Sequence, residues 1–437
     1  MNEKFFLELP IDILVNIFSI LCTHDLRNLM LTCKSLKNLI INNNHIWRKV
    51  GHNRLIIRNP LNSYENQSWY KRCLISHNWN KGIYKNQIVF HHDTLYMPWL
   101  KFHNSEILLL ALGSDLFCFP TDRRGLPNCR KTLWTLDVPT IKRYDVRTND
   151  ISRFVINDSL LLCANRDGCV SVFQLSGTKN RPSLLCYIED CHKYGEVEVT
   201  AVEAIKSKTN ICVVTGSQKC PELCMWSWNF MENNDEFTYS EIQNMNCKKK
   251  VKPLSGDVGV RCLATNQSND KLAIGLTGNN KPVVLNCEIY ELQEPVDLTK
   301  SGKFAVRDIQ WHNHNTLAYV SHSGYLRLLD IRTNNVVYES MDPFQSSLYC
   351  VKSDGHHALV VGASEYSRCV LFDARRPARH VQMYFTQKKS SPIYSLDFSS
   401  SKLIAAADRS IALVDFDVNP AAIKKRDYSQ VFELVKR

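Results

Sequence analysis

A β-rich pattern repeats through most of the chain and restricts the folds that it can adopt. Over residues 87–418, short apolar strands alternate with turn residues about every 8 to 12 positions, which is typical of an all-β architecture. Seven units can be aligned, each with three short strands, at a period of about 42 to 61 residues. This period fits the four-stranded blades of a β-propeller, so we predict a seven-bladed propeller over residues 87–418.

The seventh unit lacks a recognisable fourth strand. It ends near Val418, and a propeller has to close its ring or leave an exposed edge. Residues 87–91, with the sequence QIVFH, are β-rich and precede the first unit. We therefore predict that they supply the outer strand of the seventh blade.

The first 50 residues differ, because their apolar residues recur at three- and four-residue steps. Three short helices are predicted: one beginning at Pro10, one carrying Leu26 to Ile40, and one anchored by Trp47. About half of the residues between positions 5 and 47 are large and apolar, which is more than so small a unit can bury alone. Either one apolar side docks on a partner protein, or the helices pack wholly on the rest of the chain.

This helical segment resembles the F-box family. It has the Leu9-Pro10 start, the Cys33-Lys34 centre and the late Trp47 of that family's pattern. Three mild departures occur at positions 12, 32 and 36, where Asp, Thr and Leu stand for the usual Glu, Val and Trp.

The F-box resemblance implies binding to the adaptor Skp1 and, through Skp1, recruitment to a cullin-RING ubiquitin ligase. The residues that it implies for the Skp1 contact are Leu9, Pro10, Ile13, Leu14, Ile17, Phe18, Leu21, Leu26, Leu29, Cys33 and Trp47.

The propeller units resemble WD repeats in which the Trp-Asp pair is mostly degraded, as at 225–228, 329–332, 372–375 and 414–416. An F-box followed by a WD40-like propeller resembles the F-box/WD-repeat family, and an α + all-β fold is expected. Motifs at 77–79, 97–99, 347–351, 371–376 and 391–396 are most similar to the dactylin-type branch of that family. The family resemblance implies the substrate-recognition subunit of an SCF (Skp1–cullin–F-box) E3 ubiquitin ligase.

Residues 51–86 are predicted to be a partly helical connector between residues 1–50 and the propeller, and residues 419–437 a polar tail. The net charge of +11 is dispersed, apart from short lysine-rich runs at 248–252 and 424–426. Solvated loops or weak nuclear-import signals explain these runs, so nucleic acid is not the expected partner. No apolar run reaches the roughly 18 to 20 residues that cross a membrane.

The 17 cysteines are scattered, so reduced thiols and a cytoplasmic or nuclear location are expected. Cys220 and Cys224 lack a second ligand pair at zinc spacing, and no metal is expected. No phosphate-binding glycine loop or nucleophile motif occurs, so a non-catalytic protein without a cofactor is predicted.

A substrate site is predicted at the mouth of the propeller's central channel, where the second residue of each first strand should lie. Those residues are Trp99, Arg153, Thr200, Arg261, Arg307, Tyr349 and Tyr394. Arginine binds carboxylate and phosphate groups in a bidentate manner, and aromatic rings add rigid contact area. The site would bind an acidic or phosphorylated protein segment. Alternatively, each arginine pairs with a carboxylate on its own blade, such as Asp308.

Two other functions stay open. One is a WD-repeat scaffold without a ligase role. The other is a substrate receptor for the cullin 4 adaptor, because Asp330-Ile331-Arg332 and Asp373-Ala374-Arg375 resemble the WDxR boxes of such receptors without the Trp.

Overall fold

The computed structural model describes residues 8–52, 54–58, 67–92, 97–104, 106–143, 148–206, 210–229, 247–254, 258–293, 305–385 and 390–423. The chain divides into two compact units. The first comprises residues 1–85, 399–402 and 415–437, and the second comprises residues 86–398 and 403–414. No helix in the described ranges is long and apolar enough to cross a lipid bilayer. The apolar residues of the predicted tail at 431–435 lie outside the described residues.

The first unit contains five described helices: α1 (Ile11–Ile20), α2 (Thr23–Thr32), α3 (Lys34–Asn42), α4 (Asn44–Gly51) and α5 (Trp69–Lys81). Side-chain oxygen atoms cap the first turn of two of them. The Asn43 carboxamide oxygen accepts from the amides of His45 and Ile46, and the Ser68 hydroxyl accepts from the Lys71 amide. Helix α5 ends at Gly82, whose φ of 62° suits glycine.

The second predicted helix is two helices in the structure, α2 and α3, separated by Cys33. Cys33 has an extended backbone, with φ −151° and ψ 159°, and its Sγ accepts from the Leu36 amide. The apolar spacing continues across this one-residue corner, so periodicity alone did not reveal the break.

The core of the first unit lies between its helices. Phe18, Leu26 and Ile46 are fully buried, and Trp47 donates from Nε1 to the Ile40 carbonyl at 2.8 Å. Helix α5 also packs within this unit. Its Trp79 stacks on Phe416 with ring centroids 3.6 Å apart.

Every strand in the described ranges lies in one of seven antiparallel sheets of four strands. Strand β1 (Lys85–His91) precedes the first blade. Blade 1 comprises β2 (Trp99–His103), β3 (Ile107–Leu112), β4 (Asp115–Pro120) and β5 (Trp134–Asp137). Blade 2 comprises β6 (Ile151–Asn157), β7 (Leu160–Asn165), β8 (Val170–Gln174) and β9 (Ser183–Ile188). Blade 3 comprises β10 (Ala201–Lys206), β11 (Asn210–Ser217), β12 (Cys220–Asn229) and β13 (Lys248–Pro253).

Blade 4 comprises β14 (Val260–Thr265), β15 (Lys271–Leu276), β16 (Val283–Asn286) and β17 (Glu291–Gln293). Blade 5 comprises β18 (Val306–Asn313), β19 (Thr316–Ser321), β20 (Tyr325–Asp330) and β21 (Asn335–Met341). Blade 6 comprises β22 (Leu348–Ser353), β23 (Ala358–Ala363), β24 (Arg368–Asp373) and β25 (Arg376–Tyr384). Blade 7 contains β26 (Ser395–Phe398), β27 (Lys402–Ala406) and β28 (Ser410–Asp415). The predicted seven-bladed propeller is confirmed.

Ring closure follows the prediction. The last sheet has the order β1-β28-β27-β26, so residues 87–91 lie in its outer strand. A strand from before blade 1 therefore completes blade 7, and the two ends of the repeat array are joined by backbone pairing.

The second strands of the blades are the most deeply buried. Every residue of β3, β7 and β23 is buried, because both faces of each blade pack on neighbouring blades. The apolar clusters accordingly lie between adjacent blades, such as the one formed by Leu162 of blade 2 with Val213 and Trp226 of blade 3. These contacts hold the seven first strands, which we call the inner strands, around the central channel.

Candidate functional site: the mouth of the propeller channel

One cavity of about 120 Å³ lies where the inner strands begin. All seven residues predicted for the channel mouth line it: Trp99, Arg153, Thr200, Arg261, Arg307, Tyr349 and Tyr394. The structure therefore brings together side chains that are as many as 295 positions apart in the chain.

Local irregularities in the inner strands position three of these side chains. The pairing register shifts between Val260 and Cys262 in β14, so Arg261 is an unpaired bulge residue. The same shift occurs around Arg307 in β18 and around Tyr349 in β22. A β-bulge changes the direction of a side chain relative to a regular strand. Bulges thus provide the local geometry from which these residues reach the cavity.

Arg153 forms a salt bridge. Its guanidinium lies 2.8 Å from Asp308 Oδ1, and the other Asp308 oxygen accepts from the Val351 amide at 3.0 Å. Arg153 also lies over the Trp99 ring, 4.3 Å from its centroid. The alternative prediction of a structural ion pair is therefore right for Arg153, except that Asp308 belongs to blade 5 and Arg153 to blade 2.

Arg261 and Arg307 have no salt-bridge carboxylate in the part of the chain that the structure describes. Arg261 donates to the Gln218 carboxamide oxygen, and Arg307 contacts His322 Nδ1 at 3.0 Å. Burial and the neighbouring Arg307 charge both lower the pKa of Arg261. Two nearby cations without a salt-bridge counter-ion make this side of the cavity attractive to an anion.

The carboxylate of Glu198 also lines the cavity, but other groups already bind it. Arg166 Nε donates to one of its oxygens at 2.9 Å, and Gln218 Nε2 donates to the other at 2.6 Å. Glu198 therefore forms no salt bridge with Arg261 or Arg307, although its charge acts to raise the pKa of Arg261.

Aromatic rings form another side of the cavity. Tyr349 and Tyr394 meet edge to face with centroids 5.7 Å apart, and Arg307 lies over the Tyr349 ring at 4.7 Å. The Tyr394 hydroxyl donates to Asp408 at 2.6 Å, which orients the ring. Burial and the neighbouring Asp408 raise the pKa of Tyr394, so its hydroxyl stays protonated.

The sequence prediction missed a second ring of residues at the mouth. Arg166, Gln218 and His322 directly follow the second strands of blades 2, 3 and 5. Arg166 and Gln218 line the cavity, and His322 contacts Arg307. Burial, followed by Arg307 and Arg261, lowers the pKa of His322. Their shared position, one residue after a second strand, is the signal that would have identified them.

No described cluster of three or more His, Cys, Asp or Glu side chains could hold a metal ion. Cys224, one of the two cysteines considered for zinc, lies with its Sγ 3.6 Å from His192 Nδ1. Both side chains are buried, and His192 also contacts the Thr215 hydroxyl at 2.9 Å. This arrangement is a packed core contact.

The structure divides the residues predicted to contact Skp1 into two groups. Leu14, Phe18, Leu26 and Trp47 are buried in the core of the first unit, so their assignment as direct contacts is corrected. The periodic pattern identifies apolar residues but not which of them the helices bury among themselves. The other seven, which are exposed or half-buried, remain a prediction: Leu9, Pro10, Ile13, Ile17, Leu21, Leu29 and Cys33.

Helices α1 and α2 expose large apolar side chains that the prediction did not include. Ile20 is 79% exposed and Leu31 is 75% exposed, and Ile11 is exposed as well. Together with Ile13 they form the exposed apolar set of the helical unit. Soluble proteins rarely leave several such side chains uncovered on so small a unit unless a partner covers them.

Residues 6–53 match a protein-family model described as F-box-like. An F-box-like region followed by a seven-bladed propeller with degraded WD repeats is the arrangement found in F-box/WD-repeat proteins, and the chain is similar to this class.

The chain is similar over nearly its whole length to individual members of the class. It is 24% identical over 438 residues to F-box/WD repeat-containing protein 4 of Mus musculus, an alignment that covers 94% of this chain and 93% of the relative. The values for F-box/WD repeat-containing protein 4 of Homo sapiens are the same. The predicted resemblance to the dactylin-type branch is confirmed.

Proposed function

We propose that the chain is the non-catalytic substrate-recognition subunit of an SCF E3 ubiquitin ligase. The helical unit binds Skp1, and the mouth of the propeller channel captures a protein substrate. The contribution to catalysis is proximity, because holding substrate lysines near a charged ubiquitin-conjugating enzyme raises their effective concentration.

The exposed apolar set on α1 and α2 is the observation that carries this proposal. Ile11, Ile13, Ile20 and Leu31 present apolar surface on a unit that matches an F-box-like model. An apolar helix face of this kind fits a groove on a partner protein.

All 17 cysteines are free thiols, which suits action in the cytoplasm or the nucleus.

The proposal is tested by size-exclusion chromatography of the full chain mixed with purified Skp1. We expect the wild-type chain to co-elute with Skp1 and the Ile20→Glu/Leu31→Glu variant to lose at least about tenfold in affinity, because two charges would be buried at the interface. Ile289→Glu is the matched control, since Ile289 is 60% exposed in the turn between β16 and β17. Unchanged co-elution of the double variant, or no co-elution of the folded wild type, would contradict the proposal.

The substrate is proposed to be an acidic or phosphorylated protein segment that places an anionic group between Arg261 and Arg307. The lack of a salt-bridge carboxylate for either guanidinium among the described residues supports this assignment. The Tyr349 and Tyr394 rings beside them provide apolar area for the flanking part of the segment.

The same chromatography distinguishes the two other functions. In the structure, Arg332 pairs with Asp330 at 2.7 Å and Arg375 pairs with Asp373 at 2.8 Å, each within one turn. Binding to the cullin 4 adaptor in place of Skp1 would favour a receptor that uses these two Asp-x-Arg pairs. Binding to neither adaptor would favour a scaffold.

A further inference from the structure

The loop between β9 and β10 presents an aromatic side chain to solvent. Tyr194 is 94% exposed, whereas Cys191, His192 and Gly195 beside it are buried. An isolated exposed tyrosine is unremarkable by itself. Tyr194 is distinguished by the backbone conformation of its loop and by the position of that loop on the propeller.

Several contacts anchor the loop. The Asp190 carboxylate pairs with Arg143, and the Cys191 amide donates to the Gly168 carbonyl at 3.0 Å. The buried His192 ring contacts Thr215. These contacts hold the residues before the tip, and beyond it the Val199 amide donates to the Asn165 carbonyl at 3.3 Å, so the tyrosine is presented from an anchored backbone.

The tip has an unusual backbone. Lys193, Tyr194 and Gly195 have φ values of 45°, 53° and 80°, which place three consecutive residues in the left-handed region. Residues with a side chain rarely adopt this conformation, and it tends to occur at functional sites. A Cβ on Gly195 would displace the Asp190 carboxylate and the Arg143 guanidinium, and the φ of 80° favours glycine at this position.

The loop lies at the same end of the propeller as the channel mouth. Glu198 and Thr200, four and six residues beyond Tyr194, both line the cavity. Two further exposed apolar side chains, Met97 and Phe344, also lie in segments that lead into inner strands. Met97 lines the cavity itself, and Tyr194 and Phe344 lie in loops at the same end of the propeller.

We propose that Lys193 and Tyr194 form a second contact for the captured segment, which binds an aromatic side chain lying close to an acidic one. This inference rests on the proposed function of the channel mouth. Tyrosine offers a rigid amphipathic surface at a low entropic cost, and the adjacent Lys193 charge favours an acidic neighbour. A preformed tip does not have to be ordered on binding, which favours affinity.

Two polymers of matched length test the inference: a fluorescein-labelled copolymer of glutamate and tyrosine, and fluorescein-labelled poly-glutamate. Fluorescence anisotropy with the full chain measures the affinity for each. We expect the wild type to bind the copolymer roughly tenfold more tightly than poly-glutamate. Tyr194→Ala should reduce this preference to less than about twofold while leaving poly-glutamate binding unchanged.

Two further variants serve as controls. Val337→Ala removes an apolar side chain that is 60% exposed on the outer strand β21, and it should leave the preference intact. Gly195→Ala keeps the tyrosine but displaces the tip, and it should weaken the preference.

The outcomes separate this inference from the proposed function. If the wild type binds neither polymer, the acidic-substrate proposal fails and this inference fails with it. If the wild type binds both polymers equally, or if Tyr194→Ala keeps the full preference, the second contact is refuted while the arginine site stands.

Discussion

Three arginines of one ring take two different roles. Arg153 forms a salt bridge with the buried Asp308, whereas Arg261 and Arg307 contact only neutral hydrogen-bonding partners among the described residues. The repeat alignment predicted that all three line the channel mouth, because equivalent positions in successive blades meet there. It could not predict the ion pair, since Asp308 is 155 positions away and three blades distant from Arg153.

These two roles predict two different mutant phenotypes. Arg261→Gln/Arg307→Gln should weaken poly-glutamate binding at least tenfold, because charge-assisted hydrogen bonds contribute about 1.5–3 kcal/mol each. The free energy of unfolding of this double variant should change little. Arg153→Met should instead lower the free energy of unfolding by about 3–5 kcal/mol, since it removes the salt-bridge partner of the buried Asp308 carboxylate.

Fluorescence anisotropy and chemical denaturation measure these two quantities on each variant. Equal losses of binding for both variants, with no difference in stability, would show that the assignment of roles is wrong.

The inner strands show which features of an element the sequence reveals. Their order and approximate positions followed from the repeat. The bulges at Arg261, Arg307 and Tyr349 did not, because a one-residue change in strand pairing is not visible in the apolar pattern. The break at Cys33 was hidden for a similar reason. Ring closure by residues 87–91 was predictable, because an unpaired edge in the last blade requires a strand from elsewhere.

Strand β1 should therefore control the stability of the last blade. Replacing residues 87–91 by glycine and serine should lower the free energy of unfolding by at least about 2 kcal/mol, because Val89 and Phe90 pack on the apolar cluster between blades 7 and 1. The amides of β28 should then lose their protection from hydrogen exchange.

The same replacement at residues 248–252 is the control. These residues form an outer strand, β13, that does not join the two ends of the array, so its effect should remain in blade 3. Full protection of β28 after the replacement of residues 87–91 would contradict the closure account.

At the scale of the whole molecule, the change from a helical to a strand period near residue 87 predicted a helical unit followed by a propeller. The choice of surface residues was less predictable. Helix α1 is apolar on almost every side, so the pattern alone could not separate the buried Leu14 and Phe18 from the exposed Ile11 and Ile20. The exposure of each side chain depends on how the helices pack on one another, and a periodic pattern in the sequence does not contain this tertiary packing.

A substrate receptor has to bind its adaptor and its substrate at the same time. The most direct test is analytical ultracentrifugation of the full chain with Skp1 and the labelled glutamate–tyrosine copolymer, followed through the fluorescein signal. We predict that the label sediments with a complex containing all three components, and that Ile20→Glu/Leu31→Glu removes only Skp1 from it. A label that sediments with the chain alone when Skp1 is in excess would contradict the proposed function.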